Sequence, residues 1–240
     1  MGHLKQVAFL AAIVSTAALL LHGETGGQPI HIQLITGGHT HEISFYHVFD
    51  ADNDFRITVN PHPSAYQSDL RPDTDVLILY DLADTTGEHD RQNLRNFLES
   101  GKGMVVLHHA LADNQKWPWW YEDVVGGRYL MAPDGDQPAS KFREGVALKI
   151  RKVGRHPVTE GVGDFDILDE VYNQFWLSPK VQVLLEAKHP ESQGPVAWIS
   201  PYSKSRVVYI QLGHGREAHE NPAYRKLLRN AVLWAAGKMQ

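Results

Sequence analysis

The sequence predicts an α/β protein built on a doubly wound, mostly parallel sheet with helices on both faces. Three observations carry that expectation. Strand-like and helix-like segments alternate along the chain. Two compact apolar runs, Val76–Tyr80 and Gly103–Leu107, have the composition of parallel strands buried on both faces. Finally, the 240 residues contain no internal repeat, low-complexity stretch or linker that would divide them. Open sheets of this kind bind ligands beyond the carboxyl ends of their strands, so those ends are where chemistry is sought.

The first 27 residues read as an address. Lys5 supplies a positive start, and Val7–Leu21 is an apolar run broken only by Ser15 and Thr16. At about 15 residues the run is short for a spanning helix and suits the core of a signal peptide. Export from a bacterial cell, to the periplasm or beyond, is therefore expected, with the domain proper at residues 28–240. Once cleaved, the chain would keep no stable membrane anchor; an uncleaved anchor is the alternative.

The domain opens on a strand, Ile30–Thr36, that feeds Gly37 and Gly38. A helix is expected from His41 to about Asp50, with Ile43, Tyr46, His47 and Phe49 facing inward. Phe55–Val59 is a short strand closed by Asn60-Pro61, and Val76–Tyr80 is the next. Glu88–Ser100 is helical, with Leu94, Phe97 and Leu98 on one face and Gly101 after its end. Gly103–Leu107 then runs directly into His108 and His109. From Trp117 to Pro138 the aromatic, Pro- and Gly-rich composition predicts loop with one short helix. Further strands are expected at Val146–Ile150, Val181–Ala187, Val196–Ser200 and Arg206–Leu212. A last helix starts at Asn221-Pro222, a cap and first-turn pair, and ends at Ala236 before Gly237.

Composition narrows the chemistry. With no cysteine, disulfides, Cys-ligated metal sites and cysteine nucleophiles are excluded. A net charge of -5 with mixed signs argues against a nucleic-acid surface. Fourteen histidines are an excess that points to acid–base or metal chemistry.

Three strand ends carry imidazoles. The first is Gly37-Gly38 followed by His39 and His41, which share a face if extended and diverge if helical. The second is His108-His109, where alternation of faces predicts that one of the two, His108 before His109, points into the site. The third is His214, flanked by Gly213 and Gly215 after Gln211, where tight backbone geometry would aim the ring. Asp169, Glu170 and Tyr172 form a carboxylate pair beside a phenol, fit for a general base and a hydrogen-bond donor, or else a solvated turn. Trp119 and Trp120, with Trp117 and Trp176, offer flat faces for stacking on sugar C–H surfaces, or for core packing.

Taken in order, six segments resemble the ThuA-like family, named for trehalose utilisation. They are Gly101–Ala110, Trp117-Pro118 with Val125–Arg128, His156–Gly161, Leu168–Tyr172, Arg206–His214 and Leu233–Gly237. The resemblance implies a fold akin to class I glutamine amidotransferases. Those enzymes place a cysteine nucleophile after a central strand and a His…Glu pair after a later one. Here that first position falls near His108, and the pair persists only loosely as Gln211, His214 and Glu217. A Cys–His–Glu glutaminase is thereby excluded on chemistry.

What the family implies instead is action on sugars, in particular oxidised (keto) glycosides, by an isomerase or lyase. His214 or Glu170 would serve as base, while His39, His108 or a divalent metal polarises the carbonyl. His41, His109, Tyr172, Gln211, Trp119 and Trp120 are the expected substrate contacts. No local zinc motif is present, yet three imidazoles and a carboxylate suit zinc or manganese. Two other readings stay open: a non-catalytic sugar-binding module and a metal-dependent hydrolase. The partner expected is a small carbohydrate, and a homo-oligomer is open.

Overall fold

The computed structural model describes residues 28–50, 52–83 and 87–240. The N-terminal segment read as a signal peptide lies outside these residues. In chain order the first strands are β1 (Ile30–Gly37), β2 (Phe55–Pro61), β3 (Val76–Asp81), β4 (Gly103–Leu107) and the two-residue β5 (Gly127–Arg128). Then come β6 (Lys141–Lys152), β7 (Phe165–Asn173), the short β8 (Trp176–Leu177), β9 (Gln182–Ala187), β10 (Pro195–Ile199) and β11 (Val207–Ile210). The helices are α1 (Glu88–Glu99), α2 (Arg216–His219) and α3 (Pro222–Ala235).

One nine-stranded sheet organises the chain, in the order β2-β1-β3-β4-β11-β10-β9-β6-β7. From β2 to β11 every neighbour is parallel. From β11 to β7 every neighbour is antiparallel. The sheet is therefore mixed, and the reason is visible in the connections. β9, β10 and β11 follow one another without an intervening helix, and strands joined that way pair as hairpins.

The two faces are covered by different helices. Leu94, Phe97 and Leu98 of α1 bury against Leu77, Leu79, Met104 and Val106 on one face. Tyr224, Leu227, Leu228 and Ala231 of α3 bury against Val76, Ile78, Val105 and Val208 on the other. β3 and β4 are buried along their whole length, as their unbroken apolar runs require. Asn221 caps α3 by accepting from the N–H groups of Ala223 and Tyr224, with Pro222 in the first turn.

Two segments depart from the expected elements. The helix expected over His41–Asp50 is a 3-10 helix at Ile43–Phe49. Ile43, Phe45, Tyr46, Val48 and Phe49 are β-branched or aromatic and lose rotamer freedom in an α-helix, so only a short tightened turn forms, burying Phe45 and Phe49. The larger difference is β7. Its Asp169 and Glu170 are buried in a strand, where the pattern of carboxylates had left a turn open.

β7 is also what shapes the site. In sheet order it stands at the far edge, five places from β4. Yet β6 joins β9 only through Ile150, Arg151 and Lys152, so most of the β6–β7 hairpin is free of the sheet. A register shift between Arg143 and Val146 marks a bulge containing Gly145 at φ +65°, a conformation glycine adopts without strain. The free part arches over the carboxyl ends of β4 and β11, carrying Glu170 and Tyr172 to histidines that the sheet order alone would keep remote.

Candidate active site

A cavity of about 170 Å³ opens at the carboxyl ends of β3 and β4. Its polar lining is His39, His108, His109, Glu170, Tyr172 and His214, with Glu144 at the rim. Leu82, Ala112, Tyr129, Met131 and Phe142 supply the apolar wall.

His108 is the first residue after β4, and its φ of +48° lies in the left-handed region. Histidine is among the few side chains enriched there, though the conformation still carries strain. The result is a sharp elbow between a central strand and a 3-10 helix, His108–Ala112. Both ends of the residue are tied. Its Nδ1–H donates to the Gln211 carbonyl at 2.6 Å, and its own carbonyl accepts from the Tyr209 hydroxyl at 3.1 Å. Because a carbonyl only accepts, Nδ1 carries the proton and Nε2 presents a lone pair. Burial holds the ring neutral by pushing its pKa well down.

That lone pair faces three groups. The Tyr172 hydroxyl lies 3.2 Å away, His214 Nδ1 3.1 Å and Glu170 Oε1 3.4 Å. Glu170 Oε2 is 3.4 Å from His214 Nδ1, closing a triangle. Glu170 is almost fully buried, and burial raises its pKa to about 7 against the lowering effect of Tyr172. His214 is half-buried, and its pKa is lowered by burial.

His214 is aimed by a rigid loop. The buried carboxylate of Asp169 accepts from the N–H groups of Gly213 at 2.8 Å, His214 at 3.0 Å and Glu170 at 2.8 Å. Burial outweighs these bonds and lifts the Asp169 pKa to about 6. The Gly213 carbonyl accepts from the Tyr80 hydroxyl at 2.7 Å and from His219 Nε2–H at 3.0 Å. Gly213 itself has φ +114°, and a Cβ there would stand 2.3 Å from the Tyr224 hydroxyl. Any other residue here would be strained at this φ and would have to push the Tyr224 ring aside.

His109 also lines the cavity, so the expected alternation of the His108-His109 pair does not hold. The strand ends at Leu107 and the chain turns into the 3-10 helix, which brings both rings to one side. His109 Nε2–H donates to the Tyr80 carbonyl at 3.3 Å, its Nδ1 is unpartnered, and burial lowers its pKa to about 3. His39 stacks on it from the solvent side, ring centroids 4.6 Å apart.

Four expected contacts lie elsewhere. His41 is behind the wall, with Nε2 3.0 Å from the Tyr46 hydroxyl and its ring against Tyr80. Gln211 is fully buried and serves the site through its carbonyl, while its side chain donates to the Glu170 carbonyl at 3.4 Å. Trp120 is core, its ring stacked on Trp117. Trp119 packs on the same side of the sheet beneath the Arg95 guanidinium, 4.1 Å from its ring. Bulk and apolarity decided their place: large rings beside α1 are worth more buried than offered to a ligand.

The site also holds residues that the sequence reading missed. Glu144 comes within 3.9 Å of His214 Nε2. Met131 and Phe142 remain 59% and 60% exposed at the cavity mouth, an unusual state for large apolar side chains. Their exposure depends on the arch of the β6–β7 hairpin, which no local pattern announces. The carboxylate beside His214 is Glu170 from β7, and Glu217, in the place of the amidotransferase pair, is exposed.

A doubly wound sheet whose central strand ends in a strained elbow, with an imidazole of a following loop against it, defines a protein of the class I glutamine amidotransferase-like fold carrying histidine at the elbow. Within that class the chain belongs to the ThuA family: the family model, described as trehalose utilisation, matches residues 19–235. Among solved structures it is similar to a ThuA-like protein from Parabacteroides merdae, with a TM-score of 0.78 and 18% identity over 89% of this chain and 92% of that one. A ThuA-like protein from Bacteroides uniformis gives 0.68 and 20% identity over 89% and 94% of the two chains. A chain of PurLQS from Thermotoga maritima, of the amidotransferase-like fold, gives 0.60 and 13% identity over 87% and 99%. At these identities the likeness is one of fold. No curated protein matches the sequence.

Proposed function

We propose that this chain is a carbohydrate-processing enzyme that isomerises or eliminates keto-glycosides by proton transfer at the carbon beside the ketone. The observation that carries the reading is the convergence of Glu170, His214 and Tyr172 on His108 at one cavity wall, each within 3.4 Å of its Nε2. Membership of a family described by trehalose utilisation supports a sugar as substrate. The exposed Phe142 and Met131 at the mouth suit the C–H face of a sugar ring, the task first expected of the tryptophans.

On a 3-keto-glycoside the steps balance simply. Glu170 takes the proton from C2, and the electron pair moves into the C3 carbonyl as an enolate. The Tyr172 hydroxyl and the His214 ring donate hydrogen bonds to the developing oxyanion. His108 cannot do so, because its Nε2 carries no proton; in the resting site it accepts from the Tyr172 hydroxyl, which turns to the oxyanion as charge develops there. If O2 passes its proton to O3 and the protonated Glu170 returns its own to C3, the ketone moves to C2 and C3 becomes the alcohol. If instead the C1–O bond breaks, the aglycone oxygen takes the proton and a glycal-type product remains. His39, at the solvent side of the cavity, is placed to exchange protons with water.

The test compares an oxidised with an unoxidised substrate. Incubated with 3-keto-trehalose and with trehalose, the protein should convert the first and leave the second unchanged, followed by NMR. Binding of both without conversion would favour the sugar-binding module. Cleavage of the unoxidised sugar would favour metal-dependent hydrolysis, a reading supported by the ligand character of the same histidines. Export is proposed as well, on Lys5 and the Val7–Leu21 run; periplasmic fractionation of the tag-free chain would check it.

A further inference from the structure

Among the described residues, His108, Glu170 and His214 form a group of potential metal ligands, one atom from each lying within 4.8 Å of the others. We propose that these three side chains bind a single divalent transition cation, of the zinc or manganese class, on the cavity wall.

The geometry is that of ligands around one ion. Two ligand atoms each about 2.0–2.2 Å from a metal, at tetrahedral or octahedral angles, stand about 2.9–3.5 Å apart. Here the separations are 3.1 Å between His108 Nε2 and His214 Nδ1, 3.4 Å from His108 Nε2 to Glu170 Oε1 and 3.4 Å from His214 Nδ1 to Glu170 Oε2. Each nitrogen thus faces its own oxygen of one carboxylate, and a single donor atom from each residue lies within 4.8 Å of the others. Two imidazoles and one carboxylate facing an open cavity are a common donor set for catalytic zinc and for related metals, with the remaining positions left to water or substrate.

The donors are also prepared as donors. The Gln211 carbonyl accepts from His108 Nδ1–H and so fixes Nε2 as a bare lone pair, the arrangement that orients metal-bound histidines. His214 Nδ1 faces the same space, 3.1 Å from His108 Nε2 and 3.4 Å from Glu170 Oε2, and its other nitrogen, 3.9 Å from Glu144, can carry the proton when Nδ1 coordinates. The His108 Nε2 lone pair stands 3.4 Å from the Glu170 carboxylate, and the single Tyr172 hydroxyl proton cannot satisfy both acceptors. A cation satisfies the three side chains together. Both imidazoles also sit on rigid supports: one on the elbow, the other on a loop tied to Asp169.

The inference deepens the proposed function, in which such an ion would polarise the sugar carbonyl, but binding does not depend on the substrate. The test uses full-length protein purified without a histidine tag, stripped with chelator and titrated with zinc or manganese chloride by calorimetry. Elemental analysis measures the stoichiometry. Wild type should take up one ion per chain, and cobalt(II) should give visible bands that shift on His214→Ala. His214→Ala and Glu170→Gln should each weaken binding by more than the about 10–100-fold typical of losing a group that merely orients a ligand. Trp119→Ala, remote from the cavity, should bind as wild type does. Stoichiometry near zero in wild type, or binding unmoved by both site variants, would overturn the proposal. Turnover of a keto-glycoside by metal-free protein would likewise refute the ion's part while leaving the sugar reading intact. Tight one-to-one binding without turnover would do the reverse.

Discussion

His108 stands in left-handed backbone immediately after a buried strand, a conformation that costs on the order of 1–3 kcal/mol and persists only where its surroundings hold it. Here the Gln211 carbonyl and the Tyr209 hydroxyl do so. His214 differs: it is half-buried, its ring meets the cavity, and its backbone N–H is what the fold grips. His214→Ala should therefore abolish turnover while leaving the circular dichroism spectrum and melting curve near wild type; retained turnover would remove it from the chemistry. Asp169 is the opposite case, a carboxylate that meets no substrate and orders three backbone N–H groups. Asp169→Asn replaces one acceptor oxygen by a donor facing an N–H group, so the variant should lose about 1–3 kcal/mol of stability in urea titration, together with most activity. Gly213→Ala forces a side chain into φ +114° and against Tyr224. A loss of about 1–3 kcal/mol or more is expected from the same titration, and an unchanged midpoint would contradict the assigned role of the loop.

At the scale of elements, what the sequence made legible depended on whether a local pattern carried the information. β3 and β4 were readable because a strand buried on both faces must be apolar throughout, and α3 because Asn221, Pro222 and Gly237 mark its limits. The histidines at strand ends were readable for the same reason, since strand and end are adjacent in the chain. β7 was not, because its inward positions carry Asp169, Glu170 and Tyr172, whose burial is bought by partners more than forty residues away. Nor was the arch of the β6–β7 hairpin, which exposes Phe142 at the mouth. Its place separates two aromatic roles. Phe142→Ala should raise KM for a keto-glycoside several-fold with little change in kcat or melting temperature. Trp119→Ala should leave KM unchanged and lower stability by removing the surface on which Arg95 lies. The reverse pattern would restore the tryptophans as the sugar platform.

The whole molecule combines a parallel half, whose central strand ends in the elbow, and an antiparallel half that supplies the carboxylate. Absence of cysteine fits that division: the elbow is strained and presents an imidazole lone pair, and the carboxylate facing it comes from the overarching hairpin. No release of ammonia from glutamine is expected, and an ammonia assay with the purified chain would check it. The central claim is that this junction of the two halves moves a proton on a sugar ring. Its most direct test is proton NMR of a 3-keto-glucoside in deuterium oxide, with wild type, Glu170→Gln and no protein. The account predicts that wild type exchanges or removes the C2 hydrogen well above the protein-free rate, and that Glu170→Gln is slower by about 10²–10⁴-fold. Neither exchange nor conversion by wild type, or a Glu170→Gln rate equal to it, would contradict the account.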